Sequence, residues 1–242
     1  MILDIDEERL FVISDLHLGN PASTAATRVL PFLDYVADEG ASLCIDGDGF
    51  DMLQTSFKRL VNAGVPVLAK LRRITANGGN VYYVVGNHDL VLEHFLDSIL
   101  ALELSPFLNL RSGDARIRIE HGHLYDPFFA RYPDLYETAT HLAGLALFVH
   151  ADVYRGWTWL SDKADQRRRA RAGEDITAAS YCHGAAEMLL SRGFDTVVFG
   201  HTHNPEHVQM PSGDYVNCGN WLRSASYVEI DHGNVALKKW NA

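Results

Sequence analysis

The strongest constraint on this chain is a pattern that recurs six times: a short apolar run, rich in β-branched and aromatic residues, that stops at a polar tip. "LFVIS" (10–14) runs into Asp15, "SLCI" into "DGDGFD", and "VYYVV" into "GNHD". "ARIRIE" runs into "HGH", "TVVF" into "GHTH", and "GDYV" into "NCGNW". Apolar runs of this length, bounded by Gly, Asp and Asn, read as strands. Those without polar alternation read as buried strands; "ARIRIE" alternates and reads as half-exposed. Helical spacing fills the early gaps. Residues 24–39 place Leu30, Leu33, Val36 and Ala37 on one face before Gly40, and residues 56–76 form a second helix that Pro66 disturbs. The tail "SASYVEIDHGNVALKKW" reads as a hairpin turning at "DHGN". The expectation is a layered α/β (α+β) domain, with its chemistry where loops leave the strand ends.

One stretch breaks the alternation. Residues 124–190 hold no clear strand and many helix formers, and read as a helical insertion, a cap over the strand ends, within a single domain spanning 1–242. A chain of 242 residues, 47% hydrophobic and 21% charged, has enough apolar material for a sizeable core. The formal net charge of −10 disfavours non-specific binding to nucleic acid, itself a polyanion. Cys44, Cys182 and Cys218 are odd in number and form no C-x-x-C, which predicts a reducing compartment and no disulfide framework. The opening "MILDIDEERLFVIS" is acidic where a secretory signal is basic. No apolar run approaches the roughly 20 residues that span a bilayer. The expected location is cytoplasmic.

The polar tips, collected in order, are Asp15 and His17, Asp48, Asn87 and His88, His121, then His201 and His203. Carboxylate, imidazole and amide oxygen together suit divalent Mn, Fe, Zn or Co. Asp15, His17, Asp48, Asn87, His121, His201 and His203, seven such donors, exceed the needs of one tetrahedral ion. Two ions sharing a carboxylate would use them all, and two-metal sites clamp the attacking and leaving oxygens of phosphoester hydrolysis. A lone D-x-H or H-x-H carries little information, since histidines often sit satisfied in turns. The ordered set D-x-H, G-D-x-x-D, G-N-H-D, H-G-H and G-H-x-H, each after an apolar strand, carries much more.

With those motifs the chain resembles the calcineurin-like metallophosphoesterases, from about Phe11 to Trp221 apart from the insertion. The resemblance implies a four-layer α/β/β/α sandwich with two divalent metal ions, Mn foremost, with Fe or Zn as alternatives. It implies that Asp15, His17 and His203 hold the first ion, that Asn87, His121 and His201 hold the second, and that Asp48 bridges them. His88 resembles the family's outer-sphere histidine, which contacts phosphate or protonates the leaving oxygen, and Asp89 would orient it. A hydroxide between two cations is a nucleophile near neutral pH, and an imidazole with an ordinary pKa of about 6.5 is a fitting donor.

Within that superfamily the chain looks most like the UDP-2,3-diacylglucosamine hydrolases and their paralogues, which also carry a helical insertion between the H-G and G-H-x-H motifs. That implies a Mn-dependent pyrophosphohydrolase acting on a phosphorylated, lipid-linked substrate, peripheral to the inner membrane. The best-known members have arginine where this chain has His88, a departure that points toward a paralogue or a broader phosphodiesterase.

The insertion offers two features that bear on substrate. "HLAGLALFVHADVYRGWTWL", with Trp157 and Trp159, would line an apolar groove or dock on lipid, or else pack within its own cap. Lys163, Arg167 and Arg171 fall at i, i+4 and i+8, either a cationic stripe for substrate anions or a solvated face offset by Asp162, Asp165, Glu174 and Asp175. Asn20 would contact phosphate or shape its turn, and Asp51 reads as a hydrogen-bonding support rather than a ligand. His123 would reach the site or stand behind it. His94, His141, His150, His183, His207 and His232 read as surface or helix residues. "YVNCGNW" either braces the site or supplies Trp221 to the core. The competing class is a metal-bound scaffold without turnover, and a nuclease of the same superfamily is a third reading.

Overall fold

The structure, a computed structural model, describes residues 3–20, 23–52, 55–95, 102–131 and 178–241. The chain forms two six-stranded mixed sheets. One is built from β2 (Arg9–Ile13), β3 (Ser42–Asp46), β4 (Val81–Val84), β5 (Glu103–Ser105), β11 (Ser226–Asp231) and β12 (Asn234–Lys239), in the order β12-β11-β2-β3-β4-β5. The other is built from β1 (Leu3–Asp6), β6 (Leu108–Ser112), β7 (Ala115–Glu120), β8 (Thr196–Phe199), β9 (Glu206–Met210) and β10 (Gly213–Asn217), in the order β1-β6-β7-β8-β10-β9. The four strands β2 to β5 are parallel, as are β7, β8 and β10, so their carboxyl ends lie together.

The uninterrupted apolar runs are explained by burial on both faces. Along β2, Leu10 and Val12 point to the space between the sheets, while Phe11 and Ile13 point to the helices. Two helices, α1 (Ala25–Asp38) and α2 (Phe57–Ala76), cover that outer face through Val29, Phe32, Leu33, Val36, Val67, Leu71 and Ile74. On the far side α4 (Ala178–Leu190) covers Val197, Phe199 and Tyr215 of the other sheet through Cys182, Ala186, Leu189 and Leu190. The four layers are therefore helix, sheet, sheet, helix, the expected sandwich.

Three sequence readings change. Leu30, expected on the buried face of α1, is half-exposed, and Val29 and Phe32 take the core positions instead. From Ile117 onward β7 is buried on both faces rather than half-exposed, with Arg116 at its start exposed. Its charged side is closed by an Arg118–Glu120 ion pair with the Arg118 guanidinium 3.5 Å from the Phe107 ring centroid. Residues 178–190, read as part of a cap, are α4 and belong to the sandwich. Near the other end of the insertion a short 3-10 turn, His123–Tyr125, leads into α3 (Pro127–Arg131). Lys163, Arg167, Arg171, Trp157 and Trp159 lie outside the described residues. Among the described residues no helix is long and apolar enough to cross a membrane.

Candidate metal centre

The loops that leave β2, β3, β4, β7 and β8 meet at one end of the sandwich. The first two are locked side by side, because the parallel pairing of β2 and β3 continues past the strands. Asp15 N donates to Gly47 O at 3.2 Å, His17 N to Asp48 O at 2.9 Å, and Leu18 N to Gly49 O at 2.9 Å. Asp15, His17, Asp48, His201 and His203 all have positive φ, five of the seven non-glycine residues that do so among the described residues. Left-handed backbone at a side-chain-bearing residue costs free energy and clusters where function demands a geometry. Gly47 and Gly200 show how close the loops approach: a Cβ on Gly47 would sit 2.4 Å from the His121 ring, and one on Gly200 would sit 2.0 Å from Ser14 Oγ.

Every one of the seven expected donors reaches this cluster. His203 Nε2 is 2.9 Å from Asp15 Oδ1 and 3.3 Å from His17 Nε2. Asp15 Oδ1 is buried and this approach is out of line for a hydrogen bond, so the oxygen has no hydrogen-bond partner. Asn87 Oδ1 is 3.2 Å from His121 Nε2 and 2.9 Å from His201 Nδ1. Asp48 Oδ2 is 3.3 Å from His121 Nε2, and its other oxygen accepts the backbone N–H of His88 at 2.8 Å. Donor atoms of Asp15, His17 and His203 fall within 4.8 Å of one another, as do those of Asp15, Asp48 and His121. This donor set, oxygen and imidazole with an oxygen-bearing carboxylate in the middle, fits divalent transition metals.

The supporting residues explain the ring orientations. His121 Nδ1 donates to Asp46 O at 2.8 Å, which turns Nε2 into the cluster. Asp51 Oδ1 receives His17 Nδ1 at 3.0 Å and lies 2.9 Å from His88 Nδ1, the second contact being an ion pair out of line for a good hydrogen bond. Asn20 Nδ2 donates to Asp51 Oδ2 at 2.6 Å, so Asn20 braces this carboxylate. Asp89, expected to orient His88, does not touch it. Its carboxylate instead accepts from Gly86 N at 2.6 Å, from Gly49 N at 3.0 Å and from the Tyr83 hydroxyl, and so ties the β3 and β4 loops together. Asp51, three residues after Asp48, is the residue that faces His88.

One support was not read from the sequence. Asp126 Oδ2 lies 3.1 Å from His201 Nε2. Its position before Pro127 reads as an ordinary helix start, so nothing local marks it. "NCGNW" proves to do both things weighed for it. Asn217 Nδ2 donates to Gly200 O at 2.7 Å and Asn220 Nδ2 to His203 O at 2.8 Å, holding the "GHTH" loop from behind, while Trp221 is buried against Phe32 in the core. His123 is buried behind His121 and His201, and neither ring nitrogen has a hydrogen-bond partner.

Without cations the site is a dense carboxylate–imidazole network. Burial opposes charge on His17, but Asp51, Asp48 and Asp15 outweigh it and hold the imidazolium up to about 9. His88 and His121 are raised in the same way, against burial, chiefly by Asp48. On His123 burial prevails: desolvation, with His121 and His201 nearby, pushes it down to about 3. Asp89 is pushed up to about 6 by burial and by the nearby Asp48 charge.

A pair of fused sheets with five strand-end loops converging on carboxylate, amide and imidazole donors defines the metal-dependent phosphoester hydrolases. The chain belongs to the calcineurin-like phosphoesterase family, whose model matches residues 8–205. Among curated relatives, a UDP-2,3-diacylglucosamine hydrolase of Bordetella pertussis is 28% identical over 210 residues, covering 84% of this chain and 81% of the relative. The protein of the same name from Azotobacter vinelandii is 26% identical over 237 residues, covering 91% and 93%. Among solved structures, Vacuolar Protein Sorting 29 from Cryptosporidium parvum is similar with a TM-score of 0.50 at 15% identity, over 98% of this chain and 99% of that one, a likeness of fold.

Proposed function

We propose that this metal-dependent phosphohydrolase cleaves a phosphoester or pyrophosphate bond of a nucleotide-diphosphate lipid, with Mn as its metal. The observation that carries the reading is the convergence of seven donors from five loops. Asp15, His17 and His203 would hold one cation, Asn87, His121 and His201 the other, and Asp48 would be shared between them. Two divalent cations held there supply a hydroxide nucleophile near neutral pH and neutralise charge on the phosphoryl oxygens. The chain's own residues do the rest. His88, whose imidazolium is favoured by Asp48 and Asp51 against burial, is the residue placed to give a proton to the leaving oxygen. Asp51 holds the opposite edge of that ring, and Asn20 holds Asp51.

The substrate class is supported by the shared name of relatives that align over 81% and 93% of their own lengths. On the same reading Lys163, Arg167 and Arg171, spaced i, i+4 and i+8, contact the substrate's anionic groups. On this reading the enzyme works in the cytoplasm, at the membrane surface where such a lipid resides. A second reading, a broad phosphodiesterase, is favoured by His88, a proton donor that serves many leaving groups. A hydrolysis screen with Mn over phosphomonoesters, phosphodiesters and nucleotide-diphosphate lipids separates the two. The lipid should be cleaved with the highest kcat/KM. A flat profile across diesters would support the second reading, and no turnover on any would leave the scaffold class.

A further inference from the structure

We infer that Asp126 is the positioning residue for His201: it holds the ring by Nε2 and thereby presents Nδ1 to the second cation. The inference rests on the reading of His201 as a metal ligand, and extends it to the base of the insertion.

The argument is one of proton counting. A neutral imidazole has one N–H, and an ionised carboxylate only accepts. Asp126 Oδ2 lies 3.1 Å from Nε2, so the proton belongs on Nε2 and Nδ1 is left with a lone pair. That lone pair faces Asn87 Oδ1 at 2.9 Å, another acceptor. The same Asn87 oxygen stands 3.2 Å from His121 Nε2, a ring aimed there by its Nδ1–H bond to Asp46 O at 2.8 Å. Two lone pairs, on His201 Nδ1 and Asn87 Oδ1, therefore meet with no proton between them, an arrangement that repels unless a cation takes both. A metal-bound histidine is fixed in tautomer and orientation by the acceptor on its other nitrogen.

Asp126 is itself well held. Its N–H donates to His123 O at 3.1 Å and its carbonyl accepts from Ala130 N at 2.8 Å, at the start of α3. The neighbouring Tyr125 stacks on Phe199, with ring centroids 5.6 Å apart and planes at 19°, and Phe199 ends the strand that leads to His201. His17 takes its orientation from Asp51 and His121 from β3, both within the sandwich loops. His201 alone of these three is oriented from the segment that opens the insertion. The second cation site is thus complete only when that segment is seated.

The test is competition titration of metal-free protein with Mn against a chromophoric chelator, resolving two affinities. Asp126→Ala should weaken one site tenfold or more and leave the other within about twofold. Asp126→Asn, whose amide oxygen still accepts from Nε2–H, should retain most of the affinity. Wild-type affinity at both sites in Asp126→Ala would overturn the inference, as would equal weakening of both sites in the two variants. A long-range nitrogen–proton spectrum of the wild-type His201 ring decides the point even if the alanine variant does not fold: Nε2–H is expected, and Nδ1–H would overturn it. A wild-type protein that takes up no Mn at all would instead sink the metal reading itself.

Discussion

His17 and His88 stand edge to face, ring centroids 4.8 Å apart, and turn their Nδ1 atoms to the same oxygen of Asp51. One carboxylate thus orients both a residue that faces the metal cluster and the residue proposed to protonate the leaving oxygen. Asp51→Ala should disturb both: metal affinity or activity falls about 10–100-fold, the range for residues that orient ligands. Asp51→Asn should retain part of it through an amide oxygen. Steady-state kinetics at saturating Mn, compared with limiting Mn, separates the two losses.

His88 itself makes a sharper prediction. A positioned general acid contributes about 10²–10⁴-fold, and matters most when the leaving group is a poor one. His88→Gln should lose that factor in kcat on an alkyl phosphodiester and much less on a nitrophenyl ester, whose leaving group needs no proton. Equal losses on both would remove the acid role.

The network also predicts how metal uptake depends on pH. His17 carries its proton up to about 9 without cations, and a metal takes only the neutral ring. Mn binding should therefore release protons at pH 7, and its affinity should rise from pH 6 toward 9. Calorimetry in buffers of different ionisation enthalpy reads the proton release directly. The metal-free protein should behave in the opposite sense. A histidine raised in the fold stabilises fully below its unfolded pKa of about 6.5, and that contribution is lost as pH rises through 9.

His123 gives the reverse sign. Its ring is buried with both nitrogens unpartnered and is held neutral down to about pH 3. The stability of the neutral ring is present above about 6.5 and lost as pH falls. That amounts to about 2 kcal/mol at pH 5 relative to pH 7, from the shift and the linkage relation. The ring meets Phe129 edge to face at 4.9 Å. His123→Phe should therefore flatten the acid limb of the melting-temperature profile of metal-free protein. An unchanged limb would mean that His123 is hydrated or paired in solution.

The sandwich was legible because its strands are covered on both faces. β2, β3, β4 and β8 carry unbroken apolar stretches, Leu10–Ile13, Leu43–Ile45, Val81–Val84 and Val197–Phe199, that lead to polar tips, and the tips carry the chemistry in order. β1, β5, β6 and β9 were not legible. They are short or polar-rich strands at or near the sheet edges, with Asp4, Asn109 and His207 among their residues, and only pairing with a neighbour makes them strands. The polar residues of the cluster were legible because they lie in the loops that directly follow five strands. The supports were less so, for they act across sequence. Asp51 reaches His17 over 34 residues and Asp126 reaches His201 over 75. Asp89, assigned to its chain neighbour His88, instead turns to Tyr83 and to two loop N–H groups, since a side chain one residue away points elsewhere in a turn.

The central claim is that Asp48 and His121 hold the metal at which a phosphoester is cleaved. Hydrolysis of an aryl phosphodiester with Mn by wild-type protein, Asp48→Ala and His121→Ala tests it most directly, with the fold of each variant checked by circular dichroism. Turnover is expected from the wild type, and in both folded variants its loss by about 10³-fold, the equivalent of the several kcal/mol a catalytic metal supplies. Full activity in both would contradict it.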